Sequence, residues 1–345
     1  MSLLRLLRTT ACALSCLAVI AVTPAFADEP SPAALPQTCG GVDVLEEAKS
    51  KDPSLYQTVT NEAKAIANSE ALLWKIEKSG AAPSYLMGTI HVSDPRVTAL
   101  PAKMKDAFAG SKTVALEFVG GEAAAGAALM AGAGQQLIYT DGKTLDGQLT
   151  SEEFTKVKAL IAKSGMPDEL AGILRPWIVN MLLAISDCER SKMVSGAKAL
   201  DTVIENEASA AGKTLAGLET PEQQLNALTA IPETEQIQML KAGLHYADRA
   251  NDMQETLVQM YLKRQISAAM PLQIAMAAKV GTPASAYDGF VKLLLTDRNA
   301  RMAQAMTPLI DKGGAFVAVG ALHLPGAKGL VALLREAGYT VTAVE

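Results

Sequence analysis

The sequence predicts an α/β (α+β) protein, with a central mixed sheet built from its N- and C-terminal segments and a large helical insertion between them. Short apolar runs typical of strands cluster near residues 72–119 and again near residues 315–345. Helical spacing of apolar residues dominates the stretch between these clusters. Both ends also contain the same unit, a strand, the motif Gly-x-x-His, a helix and a further strand. This shared unit indicates that both ends contribute to one sheet.

Residues 1–27 are predicted to be a secretory signal peptide. Two arginines and no acid begin the chain, and the apolar run that follows has about a dozen residues, too few to span a bilayer. Small residues then predict cleavage after Ala27, and hence export to the periplasm or the medium. A lipid anchor at Cys16 is a weaker alternative, because the apolar run continues past it and Ala13 is a poor first lipobox residue.

Residues 28–41 are Pro-rich and are predicted to form an extended arm. A single domain is expected over residues 42–345, with the helical insertion at about 122–290. Its first part begins with helical spacing, followed by two strands in ALLWKIEK and APSYLMGTI. Pro101 and Gly110 then bracket a short helix, and KTVALEFVG is a buried strand.

Apolar spacing and capping residues also predict the elements of the insertion and of the C-terminal part. TSEEFTKVKALIAKSG has an N-cap and a terminal glycine and predicts a helix, whereas KTLAGLET is a strand or an extended crossing. The C-terminal part contains a long helix in FVKLLLTDRNARMAQAMTPLIDKGG and a strand in AFVAVGAL. A helix in GAKGLVALLREAGY and a last strand in TVTAVE complete the predicted sheet.

The charge of the chain argues against nucleic acid and anionic lipid as partners. The formal net charge is −5, and loss of the two arginines of the signal peptide takes it to −7. No basic tract is left after cleavage, and no later apolar segment is long enough to span a membrane.

Two cysteines, Cys39 and Cys188, follow the predicted cleavage site. In an oxidising compartment an even pair predicts one disulfide, which would tie the arm to the middle of the chain. The alternative is two unpaired cysteines. Two thiolates alone do not complete a zinc site, because zinc takes four ligands.

Two of the three histidines occupy matching positions at the ends of predicted strands. His91 lies in GTIHVSDPRV and His323 in VGALHLPG, each three residues after a glycine, Gly88 or Gly320. These glycines are expected to let the backbone turn sharply where a side chain would clash. Ligands of open α/β sheets bind beyond the carboxyl ends of the strands, so neighbouring strands would turn both imidazoles towards one crevice. His245 lacks a strand context and is interpreted as an ordinary helix histidine.

Glu117 ends a third apolar strand, where a carboxylate needs a partner. Two imidazoles and a carboxylate form a common site for a divalent metal, here Mn, Co or Zn. Asp94 is a further candidate, either as a ligand or as a hydrogen-bond acceptor for a ligand. The alternative is that these histidines and this glutamate are ordinary turn and capping residues, because a lone Gly-x-x-His motif has low specificity.

Five segments in order, YLMGTIHVSDPRV, VALEF, GLETPEQQ, DRNARM and FVAVGALHLPGAKGLVALLREAGYTV, resemble the TraB/GumN family from about Leu72 to the C-terminus. This family includes the Tiki proteases and is similar to the erythromycin-esterase and ChaN-like haem-binding group. The resemblance implies a sheet-and-helix core with two Gly-x-x-His motifs facing one site. It also implies metal-dependent hydrolysis.

The resemblance implies further site residues. Arg298 and Asn299 match a polar pair, and Arg298 is expected to stabilise an oxyanion or orient a carboxylate, the alternative being a surface arginine. Glu219 and Gln223 match GLET and the glutamine after it, either in support of the ligands or in a capping arrangement.

We therefore expect an exported metal-dependent hydrolase, in particular a peptidase, with the metal held by His91, Glu117 and His323. Its expected partner is a peptide or a small-molecule substrate. Glu117 is either a metal ligand or the general base. The alternatives are a periplasmic binding protein for haem, metal or peptide without turnover, and an accessory protein of polysaccharide export. The sequence contains no HExxH and no CxxCH, the motifs of thermolysin-like zinc sites and of covalent haem attachment.

Overall fold

In the computed structural model, which describes residues 38–121, 124, 127 and 134–345, six strands form one mixed sheet. The strands are β1 (Leu73–Glu77), β2 (Ser84–Thr89), β3 (Thr113–Leu116), β4 (Thr214–Gly217), β5 (Ala315–Gly320) and β6 (Thr340–Ala343). Their order is β4-β3-β5-β2-β1-β6. The first four in this order are parallel, and β1 is antiparallel to both of its neighbours. The predicted fold class is confirmed. The predicted signal peptide and residues 28–37 of the arm lie outside the described residues.

The register of the parallel strands aligns their carboxyl ends. Thr89 of β2 pairs with Gly320 of β5, and Leu116 of β3 pairs with Ala318 of the same strand. The segments that follow β2, β5 and β3 therefore leave the sheet side by side, as the histidine motifs predict.

One edge strand, β4, comes from within the predicted helical insertion. It pairs in parallel with β3, so the sheet takes strands from the middle of the chain as well as from its ends. Its four residues are exposed or only partly buried. Such a short, weakly apolar segment carries little strand signal, which is why the sequence left two interpretations open.

Helices cover the sheet and fill the insertion. They are α1 (Val44–Lys51), α2 (Pro53–Ala65), α3 (Pro95–Thr98), α4 (Ala102–Ala109), α5 (Gly134–Leu137), α6 (Ser151–Lys163), α7 (Pro176–Leu183), α8 (Asp187–Val194), α9 (Leu200–Ala210), α10 (Pro221–Thr229), α11 (Glu233–His245), α12 (Ala250–Leu262), α13 (Ala269–Lys279), α14 (Asp297–Lys312) and α15 (Leu330–Glu336). A π-helix, Phe290–Thr296, leads into α14, where the sequence predicts one continuous helix. None of the described helices is both long and apolar enough to cross a bilayer.

The sheet separates two apolar clusters. Phe316 and Ala318 of β5 pack into one cluster, and Val317 and Val319 pack into the other. Side chains of a strand alternate between its faces, and β5 is buried on both. The core thus fixes the central strand, whose carboxyl end carries His323.

A disulfide joins Cys39 to Cys188, at the start of α8, with an S–S distance of 2.10 Å. The predicted pairing is confirmed. Beside the bridge, the buried carboxylate of Glu189 accepts a hydrogen bond from the Ser93 amide, with 2.6 Å between Oε1 and N. The bridge therefore lies next to a contact that holds the segment following β2.

Removal of this bridge, by Cys39→Ala with Cys188→Ala, is expected to lower the free energy of unfolding by about 2–4 kcal/mol. The cysteines are 149 positions apart, and a cross-link that closes so long a loop restricts the unfolded chain strongly. Urea unfolding of both proteins measures the difference. Non-reducing peptide maps that recover both thiols free in the folded protein would show that the bridge does not form.

Candidate functional site

The carboxyl ends of the four parallel strands form one polar edge. His91 follows β2, His323 follows β5, Glu117 follows β3 and Glu219 follows β4. The last three are buried, with exposed fractions of 9% or less, whereas 68% of the His91 side chain is exposed. The structure thus brings the three predicted metal ligands to one edge of the sheet, and His91 forms its open side.

The Glu117 carboxylate is held by three hydrogen-bond donors. Its Oε1 accepts from the Gly320 amide at 2.7 Å. Its Oε2 accepts from Arg298 Nη2 at 2.6 Å and from Gln224 Nε2 at 2.9 Å. These partners explain how a charge is accommodated at the end of an apolar strand. They leave one acceptor direction on Oε1, which lies 3.7 Å from His323 Nε2.

The His323 imidazole is oriented by Asn299. Its Nδ1 lies 2.6 Å from Asn299 Oδ1, and Asn299 Nδ2 donates to the Lys328 carbonyl at 2.8 Å. Because that second bond fixes the amide, Oδ1 is the acceptor and Nδ1 carries the proton. In the neutral ring, Nε2 therefore presents a lone pair towards Glu117.

Burial and nearby charge together set the protonation states of His323 and Glu117. Burial lowers the pKa of His323 to about 4, so the ring is neutral at neutral pH. Burial by itself would raise the pKa of Glu117. The positive charge of His323, which is protonated at the acid pH where Glu117 titrates, and then that of Arg298 bring the pKa of Glu117 down to about 2. At neutral pH the Arg298 guanidinium supplies that charge permanently. Glu117 is therefore ionised opposite a neutral imidazole.

His91 has a different partner. Its Nδ1 lies 2.7 Å from Asp201 Oδ2, and the Thr89 hydroxyl donates to Asp201 Oδ1. The negative charge of Asp201 raises the pKa of His91 to about 9, so at neutral pH the ring of the metal-free protein is protonated and a metal would displace the proton on Nε2. Sequence reasoning missed Asp201, which lies in the first turn of α9. Acids are common there because they complement the helix dipole, so nothing in the sequence singles it out.

Arg298 joins two buried carboxylates. Besides Glu117 it reaches Glu219, with 2.8 Å between Nε and Oε2, while Arg301 Nη2 lies 3.1 Å from Glu219 Oε1. Only 8% of Arg298 is exposed, so the interpretation as a surface arginine is wrong. Its position at the start of α14, directly after the π-helix, is common for functional residues. Its action on an oxyanion stays a prediction.

The two glutamines after Glu219, Gln223 and Gln224, have different roles. Gln223 forms a capping box with Thr220 at the start of α10, the second of its two predicted roles. Its neighbour Gln224, which the sequence did not single out, is the one that bonds Glu117. Consecutive helix residues point in different directions, and the capping box determines which of the two reaches the site.

The glycines of the two motifs are needed for close approach. Gly88 lies within β2, and a Cβ atom there would come within 2.9 Å of Ala321. Gly320 has a negative φ of −50°, and a Cβ atom there would lie 3.1 Å from Glu117 Oε1. The expected clash of a side chain is therefore confirmed at both positions, whereas neither glycine has the positive φ that a sharp, glycine-specific turn would need. Their small size lets the strand ends and the site pack together.

Asp94 lies in a separate ion-pair cluster. Its carboxylate caps α3 and bonds Arg96, whose guanidinium also pairs with Glu255 of α12. Burial alone would raise the pKa of Asp94, but the hydrogen bonds and charge of Arg96 hold it below its ordinary value. Hydrogen bonds from Arg96 likewise lower the pKa of Glu255. The expected support of a ligand by Asp94 stays a prediction.

This cluster predicts a loss of stability in acid. Since both folded-state pKa values are depressed, the stabilisation is complete above the unfolded pKa values, about 4, and is lost as the pH falls through the folded ones. We expect Arg96→Met to reduce the fall of the urea midpoint between about pH 6 and pH 3. Arg335→Met is the control, since Arg335 bonds Asn68 and a backbone carbonyl rather than a carboxylate. If the urea midpoint falls equally with pH in the wild type and in Arg96→Met, the cluster around Arg96 does not contribute to acid sensitivity.

Two of the three predicted donors lie at a spacing that a divalent metal could bridge. Two ligands at about 2.0–2.2 Å from one tetrahedral zinc ion lie roughly 3.4 Å apart. The distance of 3.7 Å between His323 Nε2 and Glu117 Oε1 is close to this value. In the described part of the chain, no three His, Cys, Asp or Glu side chains already form a metal-holding group. The role of His91 as a third ligand stays a prediction.

The comparisons with known proteins give one match. The family model described as the TraB/PrgY/gumN family matches residues 72–343. This span takes in all six strands and the site residues named above. The searches of curated proteins and of solved structures found no match.

Proposed function

The chain belongs to the TraB/PrgY/gumN family, as its five segments predicted, and we propose that it is an exported metal-dependent hydrolase that cleaves peptides. One observation supports the proposed metal site. The neutral His323 ring directs an Nε2 lone pair towards the ionised Glu117 carboxylate 3.7 Å away. Two acceptors that face each other in a buried site favour a cation between them.

His91, Glu117 and His323 would hold this cation. When bound, a divalent metal lowers the pKa of a water ligand and polarises a carbonyl group. Three protein ligands leave a position for water or substrate, as in catalytic zinc sites. The exposed side of the site, at His91, is where a substrate would enter.

Of the two roles open to Glu117, the structure favours that of a ligand. A general base works best with a pKa near the working pH, and the pKa of Glu117 is about 2. Its donors, Arg298, Gln224 and the Gly320 amide, all stabilise the ionised form. Glu117 therefore serves to hold positive charge and not to accept a proton.

Export and the substrate class have separate support. The disulfide between Cys39 and Cys188 suits an oxidising compartment. The choice of a peptide rests on the resemblance to the Tiki proteases.

Metal analysis combined with a peptide-library cleavage assay tests the proposal. The protein purified from the cell envelope is expected to contain about one divalent ion per chain, the ratio of a single catalytic site. A chelator should abolish cleavage, and Mn, Co or Zn should restore it. A metal-free protein with no affinity for these ions would exclude the hydrolase, and a Soret band would favour the haem-binding alternative.

A further inference from the structure

Each histidine of the site is held at Nδ1 by a side-chain oxygen from a helix. Asn299 of α14 holds His323, and Asp201 of α9 holds His91. The resemblance points to Asn299, whereas nothing in the motifs points to Asp201. The two contacts match in length, 2.6 and 2.7 Å, but one partner is a neutral amide and the other a carboxylate.

We infer that Asp201 is a positioning residue, which orients the His91 imidazole and reserves its Nε2 for a ligand. This inference rests on the proposed metal site. An ionised carboxylate only accepts hydrogen bonds, so the proton shared with His91 lies on Nδ1. The nitrogen left for a metal is then Nε2, the same atom that His323 directs towards Glu117.

The carboxylate is itself fixed in place. The Thr89 hydroxyl donates to its Oδ1, which leaves Oδ2 for the imidazole. Thr89 is the last residue of β2, so the Asp201 carboxylate links the end of this strand to the His91 ring two residues later.

Such a partner matters for metal binding. A carboxylate that accepts the second N–H of a ligating histidine fixes the ring and makes it a more basic ligand. His91 needs this support more than His323, because its exposed ring has little packing to hold it. The helical insertion therefore contributes Asp201 to the site, besides the strand β4.

Cobalt binding to the metal-free protein tests the inference, measured by isothermal titration. Asp201→Ala is expected to weaken Co²⁺ binding by about 10- to 100-fold, the usual effect of losing such a partner. Asp201→Asn should lose less, since an amide oxygen can still accept from Nδ1. Glu205→Ala, one turn further along α9, is the matched control. In the described structure the Glu205 carboxylate accepts from the Gly120 amide and is not bonded to a histidine. The affinity of the Glu205→Ala variant for Co²⁺ should therefore match that of the wild type.

The ¹⁵N spectrum of the imidazoles separates positioning from a merely structural role. The chain has only three histidines, so each can be followed in the metal-free protein. Asp201→Ala should change the His91 nitrogen signals and leave those of His245 unchanged. Cobalt binding as tight as in wild type, or a weakened affinity with unaltered His91 signals, would overturn the inference. If Asp201→Ala does not fold, Asp201→Asn takes its place, and a Co²⁺ affinity equal to that of the wild type would overturn the inference, since loss of the carboxylate charge should make His91 a less basic ligand.

Failure of the proposed function gives a different result. In that case the wild-type protein itself does not bind Co²⁺, Mn²⁺ or Zn²⁺. The spectrum of the metal-free protein still shows whether Asp201 holds His91.

Discussion

Alanine in place of His323 is expected to weaken divalent-metal binding by at least about 100-fold, beyond the effect of losing a residue that only orients a ligand. His323 supplies the lone pair opposite Glu117, and the neighbouring Asn299 amide cannot replace it because it already bonds Lys328. His91→Ala should act in the same direction. Hydrolysis of the peptide library should be lost in both variants, and their effects should be far from additive, because the ligands of one ion act as a unit.

His245→Ala is the matched control, since His245 lies exposed at the end of α11 with Tyr246 as its ring contact. Titration with Mn²⁺, Co²⁺ and Zn²⁺ measures the affinities. The third ligand variant should be Glu117→Gln, because alanine at Glu117 would also remove a partner of the buried Arg298. Wild-type metal affinity and activity in both His91→Ala and His323→Ala would show that these histidines are ordinary turn residues and do not bind a metal.

Replacement of Arg298 by methionine is expected to lower the free energy of unfolding by about 3–5 kcal/mol. The change leaves Glu117 and Glu219, both buried, without the guanidinium that pairs with each. A buried carboxylate that loses the opposite charge of Arg298 either remains charged at high cost or takes up a proton. Urea unfolding at neutral pH measures the loss.

Two further variants identify the cause of this loss. Arg301→Met removes a partly exposed guanidinium from Glu219 and should cost much less. Arg298→Met combined with Glu117→Gln and Glu219→Gln removes all three charges and should recover part of the stability. If the single and the triple variant are equally unstable, the loss comes from packing and not from unpaired charge.

The sequence predicted the parts of the site that lie on strands. Gly-x-x-His occurs at two strand ends, and Glu117 is a charge in an apolar segment, so both signals are local. The parallel pairing of β2 with β5 then brings His91 and His323 to one edge, as expected for an open sheet.

The parts that lie on helices could not be predicted in the same way. Asp201 and Gln224 reach the site because of how α9 and α10 are rotated against the sheet. That rotation depends on contacts distant in sequence, and neither residue interrupts an apolar pattern. The sequence predicted that a side chain at Gly88 would clash, but it could not identify Ala321 as the neighbour, because that contact exists only in the folded chain.

Anomalous X-ray diffraction from crystals soaked in zinc tests the metal site most directly. We predict one strong peak about 2.0–2.2 Å from both His323 Nε2 and Glu117 Oε1, with His91 as the third protein ligand. The peak should be absent from His323→Ala crystals soaked in the same way. No peak at this position in the wild-type protein, or an equal peak in His323→Ala, would contradict a metal held by these residues.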